Sequence, residues 1–99
     1  METLREKYPY IGIEERDVRY LGYSLGLTPR EYRILRALLE AEGSLLRCEI
    51  CRLAGTDGEL KEKSVAVHIC AINKKAAIIG GRRLVECSKR DGYFINGNA

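Results

Sequence analysis

The 99-residue sequence predicts a small α+β domain, and three observations carry that prediction. Short segments of alternating apolar and polar residues fill residues 10–27, as expected for narrow antiparallel strands. Three segments with helical apolar spacing follow over residues 28–80, and a glycine-containing hairpin pattern comes last. An N-terminal small antiparallel sheet, a three-helix core and a C-terminal β-hairpin wing together have the order of a winged helix-turn-helix.

A single domain is expected over residues 10–99, because a chain of this length supports one modest core. Residues 1–9 lack an apolar period and contain Pro9, so they are predicted to be a flexible tail or linker remnant. The 45% apolar content excludes a disordered chain, and no apolar run approaches membrane-spanning length. The charged start over residues 1–7 lacks the apolar stretch of a signal peptide, so we expect a cytoplasmic protein that contacts no membrane.

Charge is unevenly distributed along the chain. Residues 1–43 carry seven basic and eight acidic side chains, whereas residues 44–99 carry ten basic and six acidic ones. Between Lys63 and Arg90, seven basic residues are accompanied by Glu86 alone. This local excess is typical of a phosphate-binding surface, although a solvated basic face without a polyanionic partner has the same composition.

The strand region has a recognisable turn pattern. Residues 11–13 and 18–20 alternate around a polar turn at residues 14–17, and a second turn at residues 21–22 precedes further alternation over residues 23–27. These segments predict an antiparallel meander.

The first helix has a clear N-terminal signal. Thr28 is a favourable N-cap, Pro29 suits the first helical position, and Glu31 completes a Thr-x-x-Glu capping box. Leucines between residues 35 and 39 supply the buried stripe, and Gly43 is expected to end the helix.

Two further helices and a hairpin complete the predicted order. A short helix is expected from about residue 47 to residue 54, followed by a polar loop over residues 56–62. The third helix is expected to start near Lys63 or Ser64 and to end before Gly80. The hairpin is expected to pair residues 83–87 with residues 93–95.

The third helix has two distinct faces. Helical spacing gives one apolar stripe made of Val65, Ile69, Ile72 and Ala76. The same spacing gives a second face of small, polar and basic groups: Ser64, His68, Ala71 and Lys75, flanked by Val67 and Lys74. Such a helix suits the major groove of duplex DNA, and a basic hairpin beside it suits the neighbouring backbone or minor groove.

Three motifs in this order resemble one known family. Residues 27–35, Leu-Thr-Pro-Arg-Glu-Tyr-Arg-Ile-Leu, resemble a first-helix opening of the form Leu-Thr-x-x-Glu-aromatic. Residues 64–69, Ser-Val-Ala-Val-His-Ile, resemble a recognition-helix signature Thr-Val-Asp-Val-His-Ile, and residues 92–93 resemble the Gly-Tyr that closes a wing. The family is the C-terminal effector domain of OmpR/PhoB-type bacterial response regulators, and the resemblance covers residues 10–96.

The resemblance implies a four-stranded N-terminal sheet, a third helix in the major groove and a wing on the adjacent minor groove. It implies sequence-specific binding of double-stranded DNA by a transcription regulator of a two-component system, without cofactor or enzymatic activity. It also implies a contact between RNA polymerase and the loop at residues 56–62, and tandem self-association on DNA. The family commonly has Arg at the positions of Ala71 and Asn73, so a winged-helix protein-interaction module that has lost base recognition is the alternative.

The residues expected to contact DNA form three groups. Phosphates are expected to meet Lys63, Ser64, Lys74, Lys75 and Lys89. Bases are expected to face Val67, His68, Ala71 and Asn73. Insertion into the minor groove is expected of Arg90. His68 has no evident Asp or Ser partner, so no catalytic site is predicted, and packing against the sheet is its alternative role.

Four cysteines allow three interpretations. Cys48 and Cys51 form a Cys-x-x-Cys pair, and Cys70 and Cys87 follow with His68 nearby. A zinc site or a redox switch is conceivable, but a second Cys-x-x-Cys pair and a thioredoxin-like context are both missing. The expected role is that of small, partly buried apolar residues in a reducing cytoplasm, with no metal bound.

Overall fold

The computed structural model describes residues 10–41, 43–55, 61–90 and 92–96. The predicted tail at residues 1–9 and most of the predicted loop at residues 56–62 lie outside these described residues. The elements, in chain order, are β1 (Ile11–Ile13), β2 (Val18–Tyr20), β3 (Tyr23–Ser24), α1 (Pro29–Glu40), α2 (Arg47–Ala54), α3 (Glu62–Gly80), β4 (Val85–Ser88) and β5 (Gly92–Ile95). This order confirms the predicted α+β winged-helix architecture.

The N-terminal sheet has three antiparallel strands within the described residues, in the order β1-β2-β3. Ile11 pairs with Tyr20, and Tyr20 pairs with Tyr23 on the other side. A fourth strand, which the family resemblance implies, is not among the described residues. The buried ring of Tyr20 lies where a Cβ on Gly80 would clash with it, so a glycine lets the C-terminal turn of α3 approach the sheet.

Strand β3 is shorter than the alternation over residues 23–27 predicts, and Asp17 explains why. Its carboxylate accepts hydrogen bonds from the backbone N–H groups of Gly26 and Leu27, each at 3.2 Å. It also accepts from the N–H of Val18 at 2.8 Å and from the hydroxyl of Ser24. The N–H of Leu25 still donates to the carbonyl oxygen of Val18 in β2 at 3.0 Å, but those of Gly26 and Leu27 are satisfied by a side chain rather than by a neighbouring strand.

Helix α1 begins as predicted and ends earlier than predicted. The Thr28 hydroxyl accepts from the N–H of Glu31 at 3.3 Å, and the Glu31 carboxylate accepts from the N–H of Thr28 at 3.2 Å. This reciprocal pair confirms the capping box. The helix ends at Glu40 because Ala41 adopts an extended backbone conformation, so Gly43 is not its terminator.

Helix α1 contacts both α2 and α3, and the core lies between these helices and the two sheets. The predicted stripe of α3 is fully buried there, as are Ile34, Leu35, Leu38 and Leu39 of α1. Burial of each Val, Ile or Leu side chain in this core contributes about 1.5–3 kcal/mol relative to exposure. Among the described helices, none is long and apolar enough to cross a bilayer.

The wing is tied to the helical core by a backbone bridge. Strands β4 and β5 are antiparallel, with Val85 opposite Ile95 and Cys87 opposite Tyr93. Leu45, between α1 and α2, exchanges two 2.8 Å backbone hydrogen bonds with Tyr93. Gly92 has a φ of 90°, and a Cβ there would collide with the Leu45 carbonyl, so glycine is required where the wing returns to the core.

Candidate nucleic-acid interface

Helix α3 exposes the face directly opposite its buried stripe. Successive residues are rotated by about 100°, so the side chains farthest from the stripe share one surface. We define the outward face by six exposed residues that lie opposite the stripe or between that position and the wing: Lys63, Ala66, Val67, Cys70, Lys74 and Ala77. Val67, which lies nearly opposite the buried stripe, is 67% exposed. The wing borders this face on one side.

The face predicted from the sequence lies on the flank of the helix rather than at its centre. Its four members are each half-buried: Ser64, His68, Ala71 and Lys75. They lie between the buried stripe and the outward face. Half a turn from Val65, Ile69 and Ile72 lie Val67 and Lys74, which the prediction placed beside its face; it omitted the exposed neighbours Ala66 and Cys70.

Asn73 does not face bases, and this corrects the prediction. Its amide oxygen accepts from the N–H groups of Leu84 at 3.0 Å and Val85 at 2.8 Å. Its amide nitrogen donates to the carbonyl oxygen of Val85 at 3.0 Å. Three hydrogen bonds therefore hold the start of β4 against α3, and the side chain points towards the wing.

Lys75 is not placed for a phosphate contact, which is a second correction. Its Nζ lies 2.5 Å from the Glu31 carboxylate and 3.0 Å from the carbonyl oxygen of Gly26. Glu31 is buried and also serves in the capping box of α1, so the Lys75 ammonium neutralises a carboxylate inside the fold. Two acceptors on the protein occupy the position that a phosphate would need.

A groove separates α3 from the wing and has a volume of about 450 Å³. Cys70 and Lys74 line one side, and Val85, Cys87 and Tyr93 line the other. Val85 and Cys87 alternate on one face of β4, which explains why both face α3. The groove joins the outward face to the wing.

The tip of the wing is basic and exposed. Lys89 and Arg90 occupy the turn between β4 and β5, and both side chains are exposed. The hydroxyl of Ser88 accepts from the N–H of Arg90 at 3.3 Å, which fixes the backbone of the turn. Three further basic side chains between residues 63 and 90 are exposed: Lys63 and Lys74 on α3, and Arg83 before β4.

Comparison with curated proteins identifies relatives over most of this chain, although no family model matches it. It is 29% identical over 93 residues to the transcriptional activator protein PfeR of Pseudomonas aeruginosa, covering 83% of this chain and 28% of PfeR. It is 32% identical over 77 residues to the response regulator protein PmrA of the same species, covering 76% of this chain and 33% of PmrA. The chain thus spans about a third of the length of these relatives.

Solved structures share the fold. The DNA-binding domain of the response regulator AdeR, in complex with an intercistronic region, superimposes with a TM-score of 0.76 at 22% identity, covering 90% of this chain and 96% of that one. The C-terminal domain of the nisin resistance regulator NsrR gives a TM-score of 0.72 at 18% identity, covering 89% and 93%. The chain belongs to the OmpR/PhoB-type effector-domain family.

As an OmpR/PhoB-type effector domain, the chain differs from the family pattern on α3. The resemblance associates Arg with the positions of Ala71 and Asn73. Here Ala71 is half-buried on the flank, and Asn73 is bonded to β4. A side chain that recognises guanine through two hydrogen bonds is therefore absent from both positions.

The cysteines of this effector domain do not form a metal cluster among the described residues. No group of three or more His, Cys, Asp or Glu side chains in the described ranges could hold a metal ion. All four cysteines are described, and none forms a disulfide. Burial raises the pKa of the Cys51 thiol above its usual value, with smaller contributions from Glu62 and Cys48. A raised pKa lowers the thiolate fraction, which makes Cys51 a poor redox nucleophile.

Proposed function

We propose that this chain binds double-stranded DNA in a sequence-specific manner as a bacterial transcriptional regulator. Helix α3 enters the major groove and the wing contacts the adjacent minor groove. The observation that carries this proposal is the exposed outward face of α3 beside a basic wing tip, Lys89 and Arg90. An α-helix is about 10–12 Å wide with its side chains and fits the major groove, which is about 12 Å wide.

The names of the relatives support the same class of function. PfeR is described as a transcriptional activator, and the AdeR domain is described in complex with DNA. Contact with RNA polymerase through the loop at residues 56–62, and tandem self-association on DNA, remain part of the proposal on the family resemblance alone. Only Lys61 and Glu62 of that loop lie within the described residues.

The structure divides the basic residues into two classes, and this division sharpens the proposal. Lys63 and Lys74 on α3 and Lys89 on the wing extend into solvent and are available for phosphates, and the exposed Arg90 is available for the minor groove. Lys75 is held by Glu31 and Gly26 instead. Ser64 and His68 remain candidates for contacts at the edge of the interface.

The test is a fluorescence-anisotropy titration of a mixed-sequence duplex at several salt concentrations. Four positive side chains at the DNA, three at phosphates and Arg90 in the minor groove, predict that log affinity falls with log salt with a slope of about −4. Lys74→Ala should make the slope less steep by about one unit, whereas Lys75→Met, the matched control, should leave it unchanged. Circular dichroism would verify that both variants are folded. Absence of binding even at low salt would overturn the proposal.

A protein-interaction module is the second candidate, and one observation favours it. The exposed part of α3 includes the apolar side chains Val67 and Ile78. In addition, Lys75 is paired with Glu31 and does not add to the exposed positive charge of α3. Exposed apolar side chains are typical of protein interfaces. This candidate predicts no salt-dependent DNA binding in the same titration.

A further inference from the structure

We infer that the outward face of α3 recognises the 5-methyl groups of thymines, so the preferred target places thymines opposite Val67 and its neighbours. The inference rests on the proposed DNA binding and specifies which base that binding favours.

The chemistry of the outward face leaves few other means of recognition. Between Lys63 and Lys74 its residues are Ala66, Val67 and Cys70, none of which carries an amide, a carboxylate or a guanidinium group. Two-point hydrogen bonding requires Arg or Lys for guanine, and Asn or Gln for adenine. Helix α3 contains no Arg and no Gln, and the amide of Asn73 is occupied by β4.

The two lysines are placed for phosphates rather than for bases. Lys63 and Lys74 are eleven positions apart along α3, so they lie roughly 16 Å apart along its axis, at opposite ends of the apolar part of the face. The DNA backbone borders both sides of the major groove, and the long side chains at the ends of the helix segment reach it. The base-facing centre is left to Ala66, Val67 and Cys70.

Thymine is the base whose major-groove edge matches this centre. It alone among the four bases presents a methyl group there, beside its O4 acceptor. Against guanine or cytosine, the same apolar side chains would cover donors and acceptors without replacing their hydrogen bonds to water, which is unfavourable. Ala66 and Cys70 are four positions apart, which is about 6 Å along the axis and close to two base steps of about 3.4 Å. Val67 lies between them, so two successive thymines suit the patch.

The experiment compares two duplexes of the same A·T sequence with pairs of successive thymines, one with thymine and one with deoxyuridine, which lacks only the methyl group. We expect the deoxyuridine duplex to bind about tenfold more weakly, the effect of removing about two buried methyl contacts. Val67→Ala should bring the ratio of the two affinities, thymine duplex to deoxyuridine duplex, towards one. The control is Ile78→Ala, because Ile78 is 85% exposed on the last turn of α3 and lies beyond the central patch.

The outcomes separate the two proposals. Equal affinity for both duplexes would overturn the thymine inference and leave DNA binding intact. A ratio unchanged by Val67→Ala would also overturn it, because the discrimination would then arise elsewhere. No binding to either duplex at low salt would overturn the proposed function itself.

Discussion

Lys75 of α3 donates to Glu31 of α1 across 2.5 Å, although the two residues are 44 positions apart in the chain. The same carboxylate accepts from the N–H of Thr28, so one buried side chain both caps α1 and binds α3. Lys75 also donates to the carbonyl oxygen of Gly26, in the segment between β3 and α1. This ion pair fixes α3 relative to the start of α1, and with it the orientation of the outward face.

Lys75→Met is expected to lower the free energy of unfolding by about 2–3 kcal/mol, because it leaves a buried carboxylate without its counter-ion. The exposed Arg36–Glu40 pair at 2.8 Å gives the matched control, and Arg36→Met should cost about 0.5 kcal/mol or less. Urea denaturation measures both values. A double-mutant cycle with Glu31→Gln should return a favourable coupling energy. Equal costs for Lys75→Met and Arg36→Met would contradict the role assigned to the ion pair.

Asn73→Ala is expected to destabilise the domain by about 2 kcal/mol, since it leaves the N–H groups of Leu84 and Val85 and the carbonyl of Val85 without their partner. Lys74→Ala, at the neighbouring exposed position, should change stability by less than about 0.5 kcal/mol. Faster hydrogen exchange at the Leu84 and Val85 amides would locate the effect in the wing. Unchanged exchange at those two amides would show that Asn73 does not hold the wing.

The carboxyl group of Asp17 makes the free energy of unfolding depend on pH in the acid range. Burial raises the pKa of its carboxyl group, but hydrogen bonds from Ser24, Leu27, Val18 and Gly26 outweigh this and hold the pKa below its usual value. Because the folded pKa lies below the unfolded value of about 3.9, the carboxylate stabilises the fold above that pH. This contribution is lost as pH falls through the folded pKa.

Asp17→Asn should therefore be less stable than the parent protein near neutral pH, and the difference should narrow as pH falls towards about 3. Thermal unfolding at a series of pH values measures the difference in stability between Asp17→Asn and the parent protein. Glu15→Gln, which changes an exposed carboxylate in the same turn, provides the control. A gap that stays constant over the whole range would exclude Asp17 as an acid-sensitive group.

Cys70 offers a chemical test of the interface, because its thiol is exposed on the outward face. In a variant with the other three cysteines replaced, alkylation with N-ethylmaleimide should weaken DNA binding by more than about tenfold, because the adduct occupies the space of the bases. A variant that also carries Cys70→Ser should bind equally before and after treatment. Undiminished binding by the alkylated protein would place DNA on another surface.

The wing tip is tested by Lys89→Ala combined with Arg90→Ala. Affinity should fall for all DNA sequences, and the salt slope should become less steep by about two units, since one positive charge at a phosphate and one in the minor groove are removed. Arg16→Ala combined with Arg19→Ala removes the same charge from the N-terminal sheet and should leave the slope unchanged. Unaltered low-salt affinity of the wing variant would rule out a wing contact.

The sequence by itself determined the elements of this protein, because their signals are local. The Thr28–Glu31 capping box, the stripe beginning at Val65 and the Gly92 turn each depend on residues a few positions apart, and the structure confirms all three. Helical periodicity also contained the position of the outward face, although the prediction chose a face about a quarter turn away.

Only the tertiary structure decided which polar side chains of α3 remain available to a ligand. Asn73 is bonded to β4, eleven and twelve positions away, and Lys75 is bonded to Glu31, 44 positions away. Periodicity reports which way a side chain points from its own helix, but it contains no information about acceptors that folding brings from distant segments. Hydrogen-bond partners at such separations are set by the packing of the elements. For this reason Asn73 and Lys75, both predicted to contact DNA, instead hold parts of the fold together.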